Sequence, residues 1–340
     1  MDSNFMEHYF QQAHNLQYFT WDNEDEWLKL RQPYFGGSDI GIILGLYKYR
    51  SKLSLYKEKV EGIVQEVSDN VYIKKGKDLE ALIREYYVRP YLQAKGYFLH
   101  HFDFMLVNKL YPHLAANLDG FAEYDNGGLV FEPEKNIVIE IKWVSRYGED
   151  NWGNDDGYYG VPPSYYAQVQ QYMLITGCKK AIVCALFDKD WSMHYYEVPR
   201  DDMFLTNLIN ESLMFKNYID YKIAPPLDSA LDNTDIYDSI VEDLHNPTPK
   251  VESLALAEAI DGYLQTDSSI KELETRKKKY LDIITNEVTN GATVPTGYQH
   301  NAFFKPVTST RFNTSKFKEE HPELYEKYCM TVQSLRTTIK

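Results

Sequence analysis

Residues 137–143 read IVIEIKW, and 21 residues before the glutamate of that run stands Asp119, inside L114-AANLDGFAEYD. The β-branched and aromatic residues Ile137, Val138, Ile139, Ile141 and Trp143 predict a buried strand. Strand alternation sends Glu140 and Lys142 to one face of it. Isolated charges are costly to desolvate, so a carboxylate and an ammonium within such a run need partners or a task. Asp119 follows an Ala-Ala-Asn-Leu segment and precedes Gly120, where a second strand could turn.

An aspartate, a gap and then Glu-x-Lys on a strand suit metal-dependent phosphodiester hydrolysis. Two carboxylates hold Mg²⁺, while the lysine polarises the attacking water or supports charge on the phosphate. The plainer alternative is a cross-face ion pair between Glu140 and Lys142 on a half-exposed strand. Glu-x-Lys alone favours that pair, because such tripeptides are common. Asp119 on a neighbouring strand-like segment restores the balance.

At ~150 residues per domain, a chain of 340 residues predicts about two domains, with enough length to bury a sizeable core. Aromatic residues make up 15%, with 29 tyrosines, which argues against disorder. The chain has no apolar run long enough to span a bilayer and no signal-peptide pattern, so a soluble cytoplasmic protein is expected. Cys178, Cys184 and Cys329 have neither zinc spacing nor the numbers for a disulfide framework, and His100-His101 reads as a strand edge. Net charge is −14, all of it from the first 250 residues, with 24 Lys+Arg against 38 Asp+Glu. Residues 251–340 carry twelve of each. A nucleic-acid surface must then be a local basic track in an acidic body, which excludes indiscriminate coating of DNA.

The stretch W21-DNEDEWLKLR predicts an amphipathic helix with Trp27 and Leu30 inward, closed by Arg31. In F35-GGSDIGIILG a two-glycine turn feeds a short helix with Ser38 or Asp39 as its N-cap. Gly36 and Gly37 would let the backbone approach a ligand, and free amides at a helix start favour an anion. An ordinary capped helix is the plainer alternative. K75-GKDLEALIREYYVRP predicts a helix with an apolar stripe of Leu79, Leu82, Ile83 and Tyr86. Beside that stripe, Glu80 either pairs with Arg84 one turn on or reaches the metal site as a third acid. Residues 97–124 read as two strands joined through Y111-PHL, and residues 146–163 as a long loop of a length that is functional or mobile. The helix S164-YYAQVQQYMLITG carries Gln168 and Gln171 one turn apart. Two antiparallel strands, A181-IVCALFD and W191-SMHYYEVP, and a helix near 200–221 complete a domain over 1–225. Residues 226–250 are rich in Pro, Asp and Asn and read as a linker. Residues 251–340 read as a C-terminal helical hairpin with a β and helix extension. Ser269 and Glu272 suggest a capping box, while Ile270, Leu273, Tyr280 and Ile284 recur at near-heptad spacing. The last forty residues hold seven Lys+Arg against four Asp+Glu, and read as strands around H321-PELYEKY.

Taken in order, R31-QPYFGGSDIGIILG, K75-GKDLEALIREYY, N117-LDGF, I139-EIKW and Y166-AQVQQYM resemble the YqaJ-type phage recombination exonucleases. These are relatives of lambda exonuclease within the PD-(D/E)XK nuclease superfamily. The resemblance spans residues 27–185, and H321-PELYEKY with the basic end is similar to the extension many YqaJ-type proteins carry. The implied fold is α/β (α+β), a mixed central sheet flanked by helices. By the same resemblance Asp119, Glu140 and Lys142 form the catalytic triad, Glu80 is the helix-borne acid and Gln168 the glutamine near the site. Asp119, Glu140, the Ile141 carbonyl and Glu80 would hold Mg²⁺, with Mn²⁺ able to substitute. Arg31 and Ser38, beside Gly37, would hold a 5′-terminal phosphate. Leu118 stands where the superfamily name has proline, at a loosely kept position. The implied activity is 5′→3′ degradation of linear double-stranded DNA, leaving 3′ overhangs for a single-strand annealing protein. The implied assembly is a ring-shaped homo-oligomer, and the implied setting a phage or prophage protein in a bacterial cytoplasm. The alternatives are a PD-(D/E)XK endonuclease of restriction or repair type, and a catalytically inert recombination scaffold.

Overall fold

The computed structural model describes residues 13, 15–62, 71–124, 131–153, 158–228, 231, 232, 252–294, 300, 302, 308–310 and 312–329. The chain divides into two units, Met1–Asn233 and Thr234–Lys340. Most of the linker expected at 226–250 lies outside the described residues. Pro225 is buried, and the buried Asp232 accepts a hydrogen bond from Ser51 Oγ, so packing of the first unit continues past residue 225.

Among the described residues the strands are β1 (Leu16–Thr20), β2 (Tyr97–His100), β3 (Phe104–Asn108), β4 (Ala115–Ala116), β5 (Gly120–Tyr124), β6 (Ile137–Val144), β7 (Lys180–Phe187) and β8 (Met193–Pro199). Five of them form the main sheet, in the order β2-β5-β6-β7-β8. Its central pair, β6 and β7, is parallel, in register from Ile137–Lys180 to Val144–Phe187, and every other pair is antiparallel. Parallel neighbours need a crossover, and the helix Pro163–Thr176 supplies it.

The alternation expected in β6 decides which layer meets which. Ile137, Ile139 and Ile141 pack with Ile182, Cys184 and Leu186 against Ile83, Val88 and Leu92. Val138, with Val183 and Ala185, packs instead against Val169 and Met173 of the helix Pro163–Thr176. Glu140 and Lys142 share the face of Val138, so both point toward that crossover helix. Behind it lies the helix Gly37–Ile43, contributing Ile40 and Ile43 to the same core. The result is an α+β arrangement with helices on both faces of a mixed sheet.

Two local expectations are corrected. The helix Val71–Ile83 runs through a π-helical turn, Arg84–Val88, into Arg89–Gln93. Ile83, Val88 and Leu92 are buried while Leu82 and Tyr86 are exposed, and the wider turn sets Val88 five residues after Ile83 on the buried side. Residues 97–124 hold four short strands, not two, and β2 and β3 belong to different sheets. The N-terminal aromatic segment supplies β1, which pairs with β3 in a small sheet ordered β1-β3-β4.

In the second unit one unbroken helix, Leu254–Thr289, stands where a helical hairpin was expected. Its N-cap is Ser253, whose hydroxyl accepts from the Leu256 amide at 3.2 Å. Ser269 does not cap anything. It donates to the Gln265 carbonyl at 3.0 Å, the back-bond a serine makes inside a helix. The helix expected in H321-PELYEKY is present as Pro322–Tyr328, preceded by Thr314–Glu320. No strand occurs among the described residues of 301–340. No helix among the described residues is long and apolar enough to cross a membrane.

Candidate active site

Strand β5 pairs with β6 only as far as Gly120–Ile139, so the edge of β6 beyond Ile139 is open on that side. Asp119, the residue before β5, fills the gap: its Oδ2 accepts from the Ile141 amide at 2.8 Å. A strand residue turns its N–H and C=O to the same edge, so the Ile141 carbonyl also faces the Asp119 side. On the crossover-helix face, Glu140 Oε1 receives the Lys142 ammonium in an ion pair and Gln168 Nε2 at 2.7 Å. Gln168 Nε2 also reaches the Tyr172 hydroxyl at 3.1 Å. Glu80, from the helix on the other face, accepts from Arg84 Nη2 at 2.8 Å. Glu80, Asp119, Glu140, Ile141, Lys142, Gln168 and Tyr172 line one open cleft of about 1070 Å³, together with Arg31, Gly36, Gly37 and Ser38.

The electrostatics follow from burial. Glu140 is 1% exposed, and burial, then Asp119, push its carboxyl up to about 8. Burial raises Asp119, and burial with Asp119 raises Glu80. Burial opposes the Lys142 ammonium, yet Glu140 and Asp119 outweigh it and lift its pKa above the ordinary lysine value. The site therefore carries more acid than its own cations balance. Glu140 Oε2 is buried with no hydrogen-bond partner. Hard oxygen donors, one of them orphaned, fit Mg²⁺ or a similar cation. Among the described residues no three His, Cys, Asp or Glu side chains group closely enough to hold an ion unaided. The fit is thus to two carboxylates and a backbone carbonyl, with Glu80 held aside by Arg84.

The glycine turn differs from expectation in its capping. Gly36, not Ser38 or Asp39, is the N-cap of Gly37–Ile43, and Asp39 Oδ2 accepts from the Gly36 amide at 3.0 Å. Lys59 Nζ lies 3.1 Å from the same oxygen, so that amide is already engaged. Gly37 is buried, and a Cβ there would lie 2.6 Å from both Gln168 Cγ and Tyr172 Oη. Its lack of a side chain serves helix contact behind the site. Ser38 is exposed at the helix start, and the Arg31 guanidinium lies over the Trp27 ring at 4.8 Å. Among the described residues no carboxylate pairs with Arg31, and the Glu24 side chain lies outside them.

Two contributors escaped the sequence reading, Tyr165 beneath Lys142 Nζ at 4.7 Å and Tyr172 behind Gln168, while Glu80 takes the Arg84 partner that its helical spacing offered. Tyr165, Gln168 and Tyr172 fall at i, i+3 and i+7, one helix face, and that spacing was the available signal. Gln171, singled out with Gln168, faces elsewhere and donates to the Phe35 and Ala115 carbonyls, each at 2.9 Å.

Residues 26–179 match the model of the YqaJ-like viral recombinase domain. That span contains Arg31, Ser38, Glu80, Asp119, Glu140, Lys142 and Gln168. Over that span, a little under half of its length, the chain is similar to this domain family. Similarity extends past it: the YqaJ protein of Bacillus subtilis (strain 168) is 27% identical over 314 residues, 90% of each chain. Among solved structures, an alkaline exonuclease (LHK-Exo) from Laribacter hongkongensis is 20% identical, with TM-score 0.44, covering 58% of this chain and 94% of that one. A phage-related exonuclease from Haemophilus somnus 129PT is 15% identical, with TM-score 0.41, covering 58% and 98%. Within the matched span, the cleft is the place where buried acids, a charged lysine and an arginine come together.

Proposed function

We propose that the protein is a metal-dependent DNA nuclease that degrades linear duplex 5′→3′ from its ends and leaves a 3′ single-stranded overhang. One observation carries this reading: Asp119, Glu140 and Lys142 line the same cleft as Arg31 and Ser38. Asp119, Glu140 and the Ile141 carbonyl would hold Mg²⁺ or Mn²⁺, and Glu80 would join them on leaving Arg84. Bound there, a divalent cation would supply activation of water and stabilisation of charge on the leaving 3′-oxygen. Gln168 fixes the Glu140 carboxylate by its 2.7 Å hydrogen bond, so the acid keeps one orientation. Lys142, kept charged by two carboxylates, offers its protons to the attacking water or a non-bridging phosphate oxygen. Tyr165 beneath the ammonium limits where it can swing.

Arg31 and Ser38 give the polarity. A guanidinium presents a fixed fork of donors that suits a phosphate monoester. A terminal 5′ phosphate carries about −1.5 to −2, about one charge more than an internal diester. Each cut would create a new 5′ phosphate and draw the strand forward. The overhang would pass to a single-strand annealing protein, and a closed homo-oligomer would keep the duplex engaged. Digestion of matched linear and covalently closed circular DNA, with Mg²⁺ or EDTA, tests the reading. Loss of the linear form alone, and only with Mg²⁺, is expected. Cut circles would replace it with an endonuclease, and no hydrolysis with an inert scaffold.

A further inference from the structure

Lys59, in the helix Lys52–Glu61, is a lysine almost wholly withdrawn from water, with its side chain 3% exposed. Its ammonium donates to the Tyr34 carbonyl at 2.8 Å and lies 3.1 Å from Asp39 Oδ2. Asp39 is buried too, and the same oxygen accepts from the Gly36 amide. One ammonium therefore ties the chain on both sides of Phe35-Gly36-Gly37-Ser38. Arg31 hangs from the near end of this tie, because the Tyr34 amide donates to the Arg31 carbonyl at 3.0 Å. Ser38 hangs from the far end, just before Asp39. A Cβ on Gly36 would lie 3.8 Å from Arg31 Nη2, so the guanidinium stands over the turn that leads to Ser38. A second link holds the same frame, where Gln32 Nε2 donates to the Glu58 carbonyl at 2.8 Å.

Neither Lys59 nor Asp39 lines the cleft, whereas Arg31, Gly36 and Ser38 do. The fold alone gives little reason for the pair, since well-packed apolar residues in place of a buried ion pair are often neutral or stabilising. What the charges add is direction: their hydrogen bonds fix where the two flanking segments stand. A rigid guanidinium fork and a hydroxyl serve one phosphate only when both are held to within about 0.5 Å of the productive geometry. We infer that Lys59, with Asp39, is a positioning residue for the 5′ phosphate, setting the distance between Arg31 and Ser38 from behind the cleft wall. The inference rests on the nuclease reading and assigns part of its end preference to a side chain that touches no DNA.

The test uses the full-length protein, Mg²⁺ and matched linear duplexes that differ only in the 5′ phosphate. Lys59→Met cuts the tie but leaves Asp39 buried without its cation. It is therefore compared with the neutral double variant Asp39→Asn, Lys59→Met, in which the asparagine keeps an acceptor for the Gly36 amide. The double variant should melt as wild type does. In both variants the initial rate on the 5′-phosphorylated duplex should fall roughly 10- to 100-fold while the rate on the 5′-hydroxyl duplex holds, so the preference falls by that factor. A folded double variant that keeps the wild-type preference overturns the role of Lys59. Equal losses on both ends, or a double variant that does not fold, assign the pair to the fold and overturn it as well. Wild type without hydrolysis overturns the nuclease reading itself, and wild type that hydrolyses both ends equally overturns the phosphate pocket; the positioning role falls with either.

Discussion

Gly37→Ala places a single methyl group where the helix Gly37–Ile43 meets the crossover helix. The new Cβ would stand 2.6 Å from Gln168 Cγ, 2.6 Å from Tyr172 Oη and 2.7 Å from Tyr172 Cε1. Carbon contacts settle near 3.5–4.0 Å, so the helices or those side chains must part by about 1 Å. Overpacking of this kind costs about 1–3 kcal/mol, which for a unit of this size lowers the melting temperature by about 2–12 °C. The larger effect should be on catalysis. Gln168 holds Glu140 Oε1 at 2.7 Å, and a shift of about 1 Å takes that bond beyond hydrogen-bonding range. A misplacement of about 1 Å in a catalytic group costs about 10²-fold in rate, so kcat should fall by about that factor while DNA affinity holds. Gly76→Ala is the matched control: it lies in a helix, its Cβ would meet nothing within 4 Å, and it should stabilise by about 0.5–1 kcal/mol. Thermal melts and initial rates on linear duplex decide the matter. A Gly37→Ala protein with wild-type melting and wild-type kcat would refute the link from Gly37 through Gln168 to Glu140.

Asp119→Ala or Glu140→Ala should abolish hydrolysis while leaving the fold intact or firmer, by circular dichroism and thermal melting, because each removes a crowded acid. In the metal-free protein, the raised Glu140 and Asp119 make the folded state hold protons that the unfolded chain releases above about pH 4. For Glu140 stability should then fall as pH rises from there toward 8, by at most about 1.4 kcal/mol per pH unit, with Asp119 adding in the same direction, and Glu140→Gln should flatten the profile measured by denaturant titration. Arg31→Ala should cost about 2–4 kcal/mol in using 5′-phosphorylated ends and much less on 5′-hydroxyl ends; equal wild-type rates on the two substrates would rule out the phosphate pocket. A fragment of residues 1–233 should still cleave short duplexes but retain DNA less well, since the second unit holds none of the proposed catalytic groups. A folded fragment without any cleavage would contradict this.

Strand β6 was legible because it is a long central strand, where period-two alternation and β-branched residues agree with burial on both faces. That alternation alone placed Glu140 and Lys142 together. The meeting with Asp119 was legible only as a spacing; the pairing of Gly120 with Ile139 turns the spacing into contact. Helix detail was less readable where the backbone departs from 3.6 residues per turn. The π-turn at Arg84–Val88 moved the stripe off Tyr86, and nothing in R84-EYYV announces it. Strand β1 was hidden by its shortness and its acidic, aromatic surroundings. The hairpin expectation failed because Ser269 was read as a cap, whereas within a continuous helix its hydroxyl bonds back to Gln265. Tyr165 and Tyr172 look like core residues in the sequence, and only the helix contact at Gly37 reveals Tyr172 as part of the support behind Gln168.

Strand-resolved digestion tests the central claim most directly. A linear, 5′-phosphorylated duplex is labelled on one strand, at its 5′ or its 3′ terminus, and sampled through the first turnovers in Mg²⁺. The account predicts that the 5′ label leaves first as a mononucleotide while the 3′ label stays on a shortening strand. It also predicts that EDTA or Glu140→Ala leaves both labels in place. Early release of the 3′ label, or internal fragments carrying either label, would contradict it.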